Sequence, residues 1–477
     1  MSAGLDTGYQ AVMARSTQIL RNASGLDYDD FRRGRLCFDY EGLMAATGYS
    51  LEQVADVQRR CKVGGTPLLE LSNLTRLARS LAPAGMGARI LVKDEAANAS
   101  GSFKARRASL SVQESKRAGY PGVIAATSGN YGAAVAAMCA MQGQCCIIVQ
   151  ETFDSRGVGQ PEIVEKGRAC EAYGAEVWQM TVGPELFYMH LRLLEESGYF
   201  NASLYTPFSV SGIETLGWEV AQEVRGLTGR PPAAVVVTHA GGGNVTGTAR
   251  GLRKAGAGET QVIAASVDLS GLHMASDTQF NRKSFTTGHT GFGMPFSTWP
   301  GRSDVPRSAA RPLRYMERYV TLTQGEVFYM TEMLSLLEGM ERGPAGNTSL
   351  AAAFCLAREL PQDALLVVQE TEYTGAGKHQ NAQLAFAREH GIALRVGDPA
   401  EQVPGQSIVL PEHPGQLRAA EVDLNRLRRS LIHRALTDSK DMPGEADLAF
   451  LAAETRTSPA FVRQVITQLL EDDNETK

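Results

Sequence analysis

An α/β fold in two domains, with mostly parallel twisted sheets flanked by helices and helical segments at both ends, is what this sequence predicts. Three observations carry the prediction. The chain has 477 residues, too many for one ordinary core. From about residue 90, short β-branched apolar runs alternate with helical segments. Small-residue turns follow several of those runs directly.

Residues 1–64 read as polar helical segments. The runs that follow are ARILVKDE (88–95), GVIAATS (122–128), CCIIVQE (145–151), AEVWQMTV (175–182), PAAVVVTHA (232–240), QVIAASVD (261–268) and ALLVVQET (364–371). Their continuous apolar character suits strands buried on both faces. Segments 131–142, 161–173 and 244–255 suit the helical crossovers that parallel strands require. Residues 270–325, rich in Gly, Ser, Thr, Pro and aromatics, read as a long loop excursion. Arg307, Arg311, Arg314 and Arg318 recur there at helical spacing and read as a solvated helix face. Residues 420–434 read as a charged helix. In the helical tail 445–470, Ser458-Pro459 caps and opens a helix before Phe461, Val462, Val465, Ile466 and Leu469.

Composition excludes several classes. Apolar residues make up 43% and charged residues 21%, and the net charge is −5, which argues against a generally basic nucleic-acid binder. The seven cysteines are odd in number and form no C-x-x-C pair, against a disulfide scaffold or a metal site. The start MSAGLDTGYQ has no apolar signal core, and no apolar run approaches the ~20 residues that span a bilayer. A soluble cytoplasmic protein is expected.

Four stretches carry chemistry. In SGSFKARRAS, Lys104 stands before a helix and beside Arg106 and Arg107, whose field disfavours its charged form and leaves a nucleophilic amine. In ATSGNYG, the turn Ser128-Gly129-Asn130 follows a strand at the end where ligands collect, and Asn130 offers a donor and an acceptor. In AGGGNVTG, Gly241, Gly242, Gly243 and Asn244 open a helix and form an anion cup for a phosphate. A dinucleotide reading of that loop, with Asp268 as the acidic ribose contact, is the weaker alternative. His239, just before it, reads as a packed strand-end histidine. In ETEYTGAGK, Thr374 sits on a turn after a buried strand. Together these groups are what pyridoxal 5'-phosphate needs: Lys104 for its aldehyde, the glycine cup for its phosphate, Asn130 for the ring hydroxyl and Thr374 for the pyridine nitrogen. A neutral hydroxyl at that nitrogen suits chemistry at the β-carbon. The substrate carboxylate is expected on the Ser128, Gly129 and Asn130 turn. Cys145, Cys146 and Cys355 read as packing residues rather than nucleophiles.

At this point the sequence resembles the fold-type-II, tryptophan-synthase-β family of pyridoxal-phosphate enzymes. SGSFKARR is similar to the family's lysine motif, SGNYG to its asparagine loop, AGGGN to its phosphate loop and TGAGK to its T-G-x-G ending. Ala105 departs from relatives that often carry an acid after the lysine, which bears on the local salt bridges. The resemblance implies a large cofactor-binding domain over about 65–125 and 215–435, with a small domain over 126–214 inserted in it.

Longer stretches, among them KDEAANASGSFKARRAS, QETFDSRGVGQPEIVEK and GMERGPAGNTSLAAAF, resemble the large subunits of a thiolase family within this group over residues 8–435. That implies cleavage of 2-amino-4-oxopentanoate by coenzyme A to acetyl-CoA and alanine, in ornithine breakdown. It also implies a small α subunit as partner, in a hetero-oligomer built on a homodimer. The arginine stripe is then a candidate for a coenzyme A phosphate or for that subunit. The tail 436–477 lies outside the resemblance and reads as an addition peculiar to this chain. Two rivals stand: a threonine synthase or dehydratase-like β-eliminating enzyme, and a catalytically silent scaffold.

Overall fold

The structure is a computed structural model that describes residues 6–127, 129–154, 157–268, 301–436 and 442–475. Ser128 and most of the 270–325 excursion lie outside the described residues.

After four short N-terminal helices the chain forms strands β1 (Leu68–Glu70) and β2 (Arg89–Asp94). Next come β3 (Gly122–Thr127), β4 (Cys145–Phe153), β5 (Glu176–Thr181) and β6 (Phe200–Asn201). Strands β7 (Ala234–Thr238), β8 (Gln261–Val267), β9 (Arg318–Leu322) and β10 (Leu365–Glu370) follow. Last are β11 (Ala393–Val396), β12 (Ser407–Leu410) and β13 (Ala420–Glu421).

Two sheets organise the molecule. The larger runs β1-β2-β10-β7-β8-β9-β13 and the smaller β5-β4-β3-β6, while β11 and β12 pair by themselves. Every pair inside the smaller sheet is parallel. In the larger sheet only the edge strands β1 and β13 run antiparallel. Parallel neighbours need long crossovers, and the helical segments supply them. The division expected at 125/126 runs through β3, which begins at Gly122.

Burial explains why the apolar runs are continuous. Val235 and Val237 of β7 and Val367 of β10 pack with Leu216, Val220 and Val245 on one face. Val236 of β7 and Leu366 and Val368 of β10 pack with Leu350 and Phe354 on the other. Each such side chain contributes roughly 1.5–3 kcal/mol when fully buried. The run AEVWQMTV differs. It forms β5, an edge strand that pairs only with β4 and leaves Trp178 exposed, so it is not buried on both faces.

The arginine stripe is not one helix face. The helix there is only Pro312–Tyr315, and Arg318 lies in β9. Arg307 Nε donates to the Tyr40 hydroxyl at 2.9 Å. Arg311 pairs with Glu454 and with Glu41, and Arg318 with Glu421 and Glu359. The spacing was carried across a turn that Pro312 opens and a strand that follows at once. The tail forms helices Glu445–Thr455 and Pro459–Glu475, and the Phe461 N–H donates to Ser458 Oγ at 3.2 Å. No helix among the described residues is long and apolar enough to cross a membrane.

Candidate active site

A cavity opens at the carboxyl ends of the strands, walled by both sheets. Thr127 and Glu151 reach it from β3 and β4, and Thr238 and Thr371 from β7 and the exit of β10. Lys104, Gly129, Asn130, Gly241, Gly242, Gly243 and Asn244 all line it.

Lys104 is the first residue of helix Lys104–Arg117. The segment before it is stitched to the exit of β10: Phe103 N–H donates to Thr371 O at 3.0 Å, and Tyr373 N–H to Gly101 O at 2.8 Å. Gly101 has a φ of +72°, and any Cβ there would meet the Tyr373 ring, so glycine is required. Burial first, then the nearby Arg107 guanidinium and Lys378, push the Lys104 amine down to about 7, against the opposing pull of Glu372. A neutral amine is therefore abundant at physiological pH. Of the two arginines expected to act on it, only Arg107 does so. Arg106 is neutralised by Glu95 at 2.7 Å and Glu219 at 2.8 Å.

On the opposite wall, Asn130 begins helix Asn130–Gln142, and its Nδ2 donates to the Glu372 carboxylate. Gly129 N–H donates to Thr127 Oγ1 at 3.1 Å. Ser128, expected beside them, lies outside the described residues. Glu372 also accepts from Lys378, which lies 3.3 Å from Glu162.

The glycine loop opens helix Gly243–Lys254, whose first N–H groups face no preceding turn. Gly242 has a φ of +85°, and a Cβ there would lie 2.5 Å from the Pro312 ring. A Cβ on Gly241 would meet the Tyr205 hydroxyl, and one on Gly243 the Arg107 guanidinium. Close packing thus holds three backbone units bare toward the cavity. Asn244 Nδ2 is buried with no hydrogen-bond partner. Thr374 is not among the lining residues, which departs from its expected place on the wall, although its hydroxyl oxygen is likewise buried and unpartnered. A largely neutral amine, a bare glycine cradle and unpartnered polar atoms at Asn244 and Thr374 fit pyridoxal 5'-phosphate.

The cavity also gathers Glu151 and Arg302, which pattern reading passed over, and His239, which it read only as a packed strand-end residue. His239 lines it with no hydrogen-bond partner on either ring nitrogen among the described residues, and its ring meets Tyr319 edge-on at 5.0 Å. Burial pushes it down to about 4, so it is neutral at physiological pH. Arg302 pairs with Asp304 at 2.8 Å and lies 3.7 Å over the Tyr205 ring. Glu151 ends a β-run just as Asn130 follows one, so position at a strand's carboxyl end was the signal that could have found it; the same position marks His239, which the cavity exposes to a ligand rather than packing away. No cysteine is among the residues lining the cavity, and burial pushes Cys355 up to about 12, against a thiolate nucleophile.

An amine poised for an aldehyde and a cradle poised for a phosphate, at the crevice of two parallel sheets, define the class: a fold-type-II pyridoxal-phosphate enzyme. Residues 61–371 match the pyridoxal-phosphate dependent enzyme family, and the chain belongs to it. It is 64% identical over 465 residues to a 2-amino-4-ketopentanoate thiolase beta subunit of an unknown prokaryotic organism, covering 97% of this chain and 98% of that one. It is 62% identical over 465 residues to the subunit of that name from Acetoanaerobium sticklandii, covering 97% and 99%. A threonine synthase from Methanocaldococcus jannaschii is 29% identical over 196 residues, 40% of this chain and 43% of that one. Matches over 97% of the chain take in most of residues 436–477, so the tail is not peculiar to this chain.

Proposed function

We propose that this chain is the large catalytic subunit of a 2-amino-4-ketopentanoate (2-amino-4-oxopentanoate) thiolase. The reaction is cleavage of that amino acid by coenzyme A to acetyl-CoA and alanine. The observation that carries the reading is 64% identity kept over 97% of the chain, with a lysine amine and phosphate cradle facing one cavity. Pyridoxal 5'-phosphate, when bound, supplies an aldehyde for amines and a ring that accepts electrons from the substrate's carbon framework.

The chain's own residues divide the remaining work. Lys104 Nζ would hold the cofactor through its aldehyde and, as a free amine, would take and return the proton on the substrate's Cα. The N–H groups of Gly241, Gly242 and Gly243 and the Asn244 amide hold the phosphate. Asn130 holds the ring hydroxyl, and with Ser128 and Gly129 it receives the substrate carboxylate. Thr374 offers the pyridine nitrogen a neutral hydroxyl, a role supported by its lack of any other partner.

The relatives' designation as beta subunits supports a small α subunit as partner. A hetero-oligomer built on a homodimer, a cytoplasmic location and a place in ornithine degradation complete the proposal. The test is titration of the purified chain with its small partner in the presence of 2-amino-4-oxopentanoate and coenzyme A. Acetyl-CoA and alanine are expected in equal amounts. Turnover of threonine without acetyl-CoA would instead assign a threonine synthase or dehydratase-like β-elimination.

A further inference from the structure

The cavity holds a carboxyl to which the assignments above give no task. Glu151, near the end of β4, is buried and lines the wall. The Gly183 backbone hydrogen bonds to its carboxyl, while its Oε2 is buried with no hydrogen-bond partner. The other acids on the wall are engaged. Glu372 accepts from Asn130 and Lys378 through one oxygen and leaves the other unpartnered, Glu162, which burial also pushes up to about 7, faces the Lys378 cation at 3.3 Å, and Asp304 holds Arg302 at 2.8 Å and Ser203 at 2.7 Å. Among the described residues no cation lies within ion-pair distance of Glu151. A buried carboxyl with no countercharge resists ionisation, and burial pushes Glu151 up to about 7. Such a group both takes and gives a proton near neutral pH.

Thiolysis needs one group of that kind, and this inference rests on the function proposed above. The S–H bond of coenzyme A and the C3–C4 bond of the substrate break, and S–C4 and C3–H bonds form. The proton leaves sulfur and arrives on C3, and the electron pair of the C3–C4 bond ends in the new C3–H bond. The carbon that sulfur attacks and the carbon that takes the proton are bonded neighbours, about 1.5 Å apart. One carboxyl with one side anchored and one oxygen free can serve both ends. We propose that Glu151 takes the proton from the coenzyme A thiol and delivers it to C3. Lys104 keeps the Cα proton. His239 on the same wall is a poor acid for the task, because its protonated form is scarce at neutral pH.

The experiment places the cofactor-loaded enzyme and alanine in heavy water without coenzyme A, and follows both alanine signals by proton NMR. Exchange at Cα reports Lys104. Exchange of the methyl hydrogens reports proton traffic at the carbon that was C3. The parent enzyme should exchange both. Glu151→Gln should keep Cα exchange within about threefold and slow methyl exchange by about 100-fold or more, with partial recovery in Glu151→Asp. Methyl exchange that survives in Glu151→Gln overturns the proposal, and so does loss of Cα exchange alongside it. A second readout needs no turnover. The infrared band of a protonated, water-free carboxyl should be present in the cofactor-free parent near pH 6 and reduced in Glu151→Gln, and an unchanged band overturns the assignment. A parent enzyme that eliminates from threonine and forms no acetyl-CoA defeats the functional reading instead, which separates the two failures.

Discussion

Lys104 illustrates how a residue acquires its chemistry from its surroundings. Its amine is held low by burial and by Arg107, and it keeps the pull of Glu372. Because the neutral amine is the nucleophile, condensation of the cofactor-free protein with pyridoxal 5'-phosphate should accelerate as pH rises through about 7 and then level off, as followed by the visible absorption of the product. Lys104→Ala should show no such band, and borohydride trapping should map the adduct of the parent to Lys104. Stability should follow the same titration. The amine's ordinary value of 10.5 falls to about 7 on folding, so folding carries its full penalty below about 7 and sheds it as pH rises toward 10.5. Cofactor-free Lys104→Met should therefore melt well above the parent at pH 6, by an amount on the order of a few kcal/mol, and lose most of that advantage by pH 10. An advantage that does not shrink with pH would show that folding does not lower the amine's affinity for its proton.

At the scale of elements, the site depends on how helices meet. Arg106 joins the Lys104 helix to Glu95 and to Glu219 on helix Pro207–Thr228. Arg106→Ala leaves the buried Glu95 carboxylate without its cation, and Glu219 with Lys93 alone at 3.1 Å, and should cost about 3–5 kcal/mol in urea unfolding. Helix Pro207–Thr228 in turn lies against helix Gly243–Lys254 so closely that a Cβ on Gly251 would meet the Glu214 carbonyl and lie 2.9 Å from the Trp218 nitrogen. That approach seats the helix whose N-terminus forms the phosphate cradle. Gly242→Ala, forced into a φ of +85° against Pro312, should weaken binding of pyridoxal 5'-phosphate at least tenfold while changing the binding of phosphate-free pyridoxal little. Equal loss for both ligands would place the phosphate elsewhere. Much of this level was legible beforehand. β2, β3, β4, β7, β8 and β10 begin and end within two residues or so of the runs that predicted them, because continuous β-branched runs reflect burial on two faces. β5 was misjudged because an apolar run does not say whether a second strand will cover its edge.

At the scale of the whole molecule, the tail is a clamp. Asp447 accepts the backbone N–H groups of Leu36 and Cys37, Glu454 pairs with Arg311, and Arg456 with Glu317. Arg311 precedes the Pro312 that backs Gly242, and its own N–H donates to Thr246 Oγ1 at 2.8 Å in the cradle helix. Leu448, Leu451, Val462 and Ile466 cover Ile432. Deleting residues 442–477 should lower the melting temperature and weaken cofactor affinity together, whereas Glu454→Gln should affect both less. A truncated chain with parental cofactor affinity would separate the tail from the site.

Taken alone, the sequence determined the α/β class, the crossovers, the lysine, the asparagine turn and the glycine cup, and the family to which they belong. Those features are written in period and turn chemistry, which involve neighbours a few residues apart. Only the tertiary structure decided that Arg106 is silenced while Arg107 acts on Lys104, that among the described residues Glu151 has no cation and His239 no hydrogen-bond partner, and that the arginine stripe divides, with Arg307 on Tyr40, Arg311 and Arg314 both on Glu454, and Arg318 on Glu421. Charge state depends on burial and on partners brought together from distant parts of the chain, as when Arg106 meets Glu219, and no local pattern records those meetings.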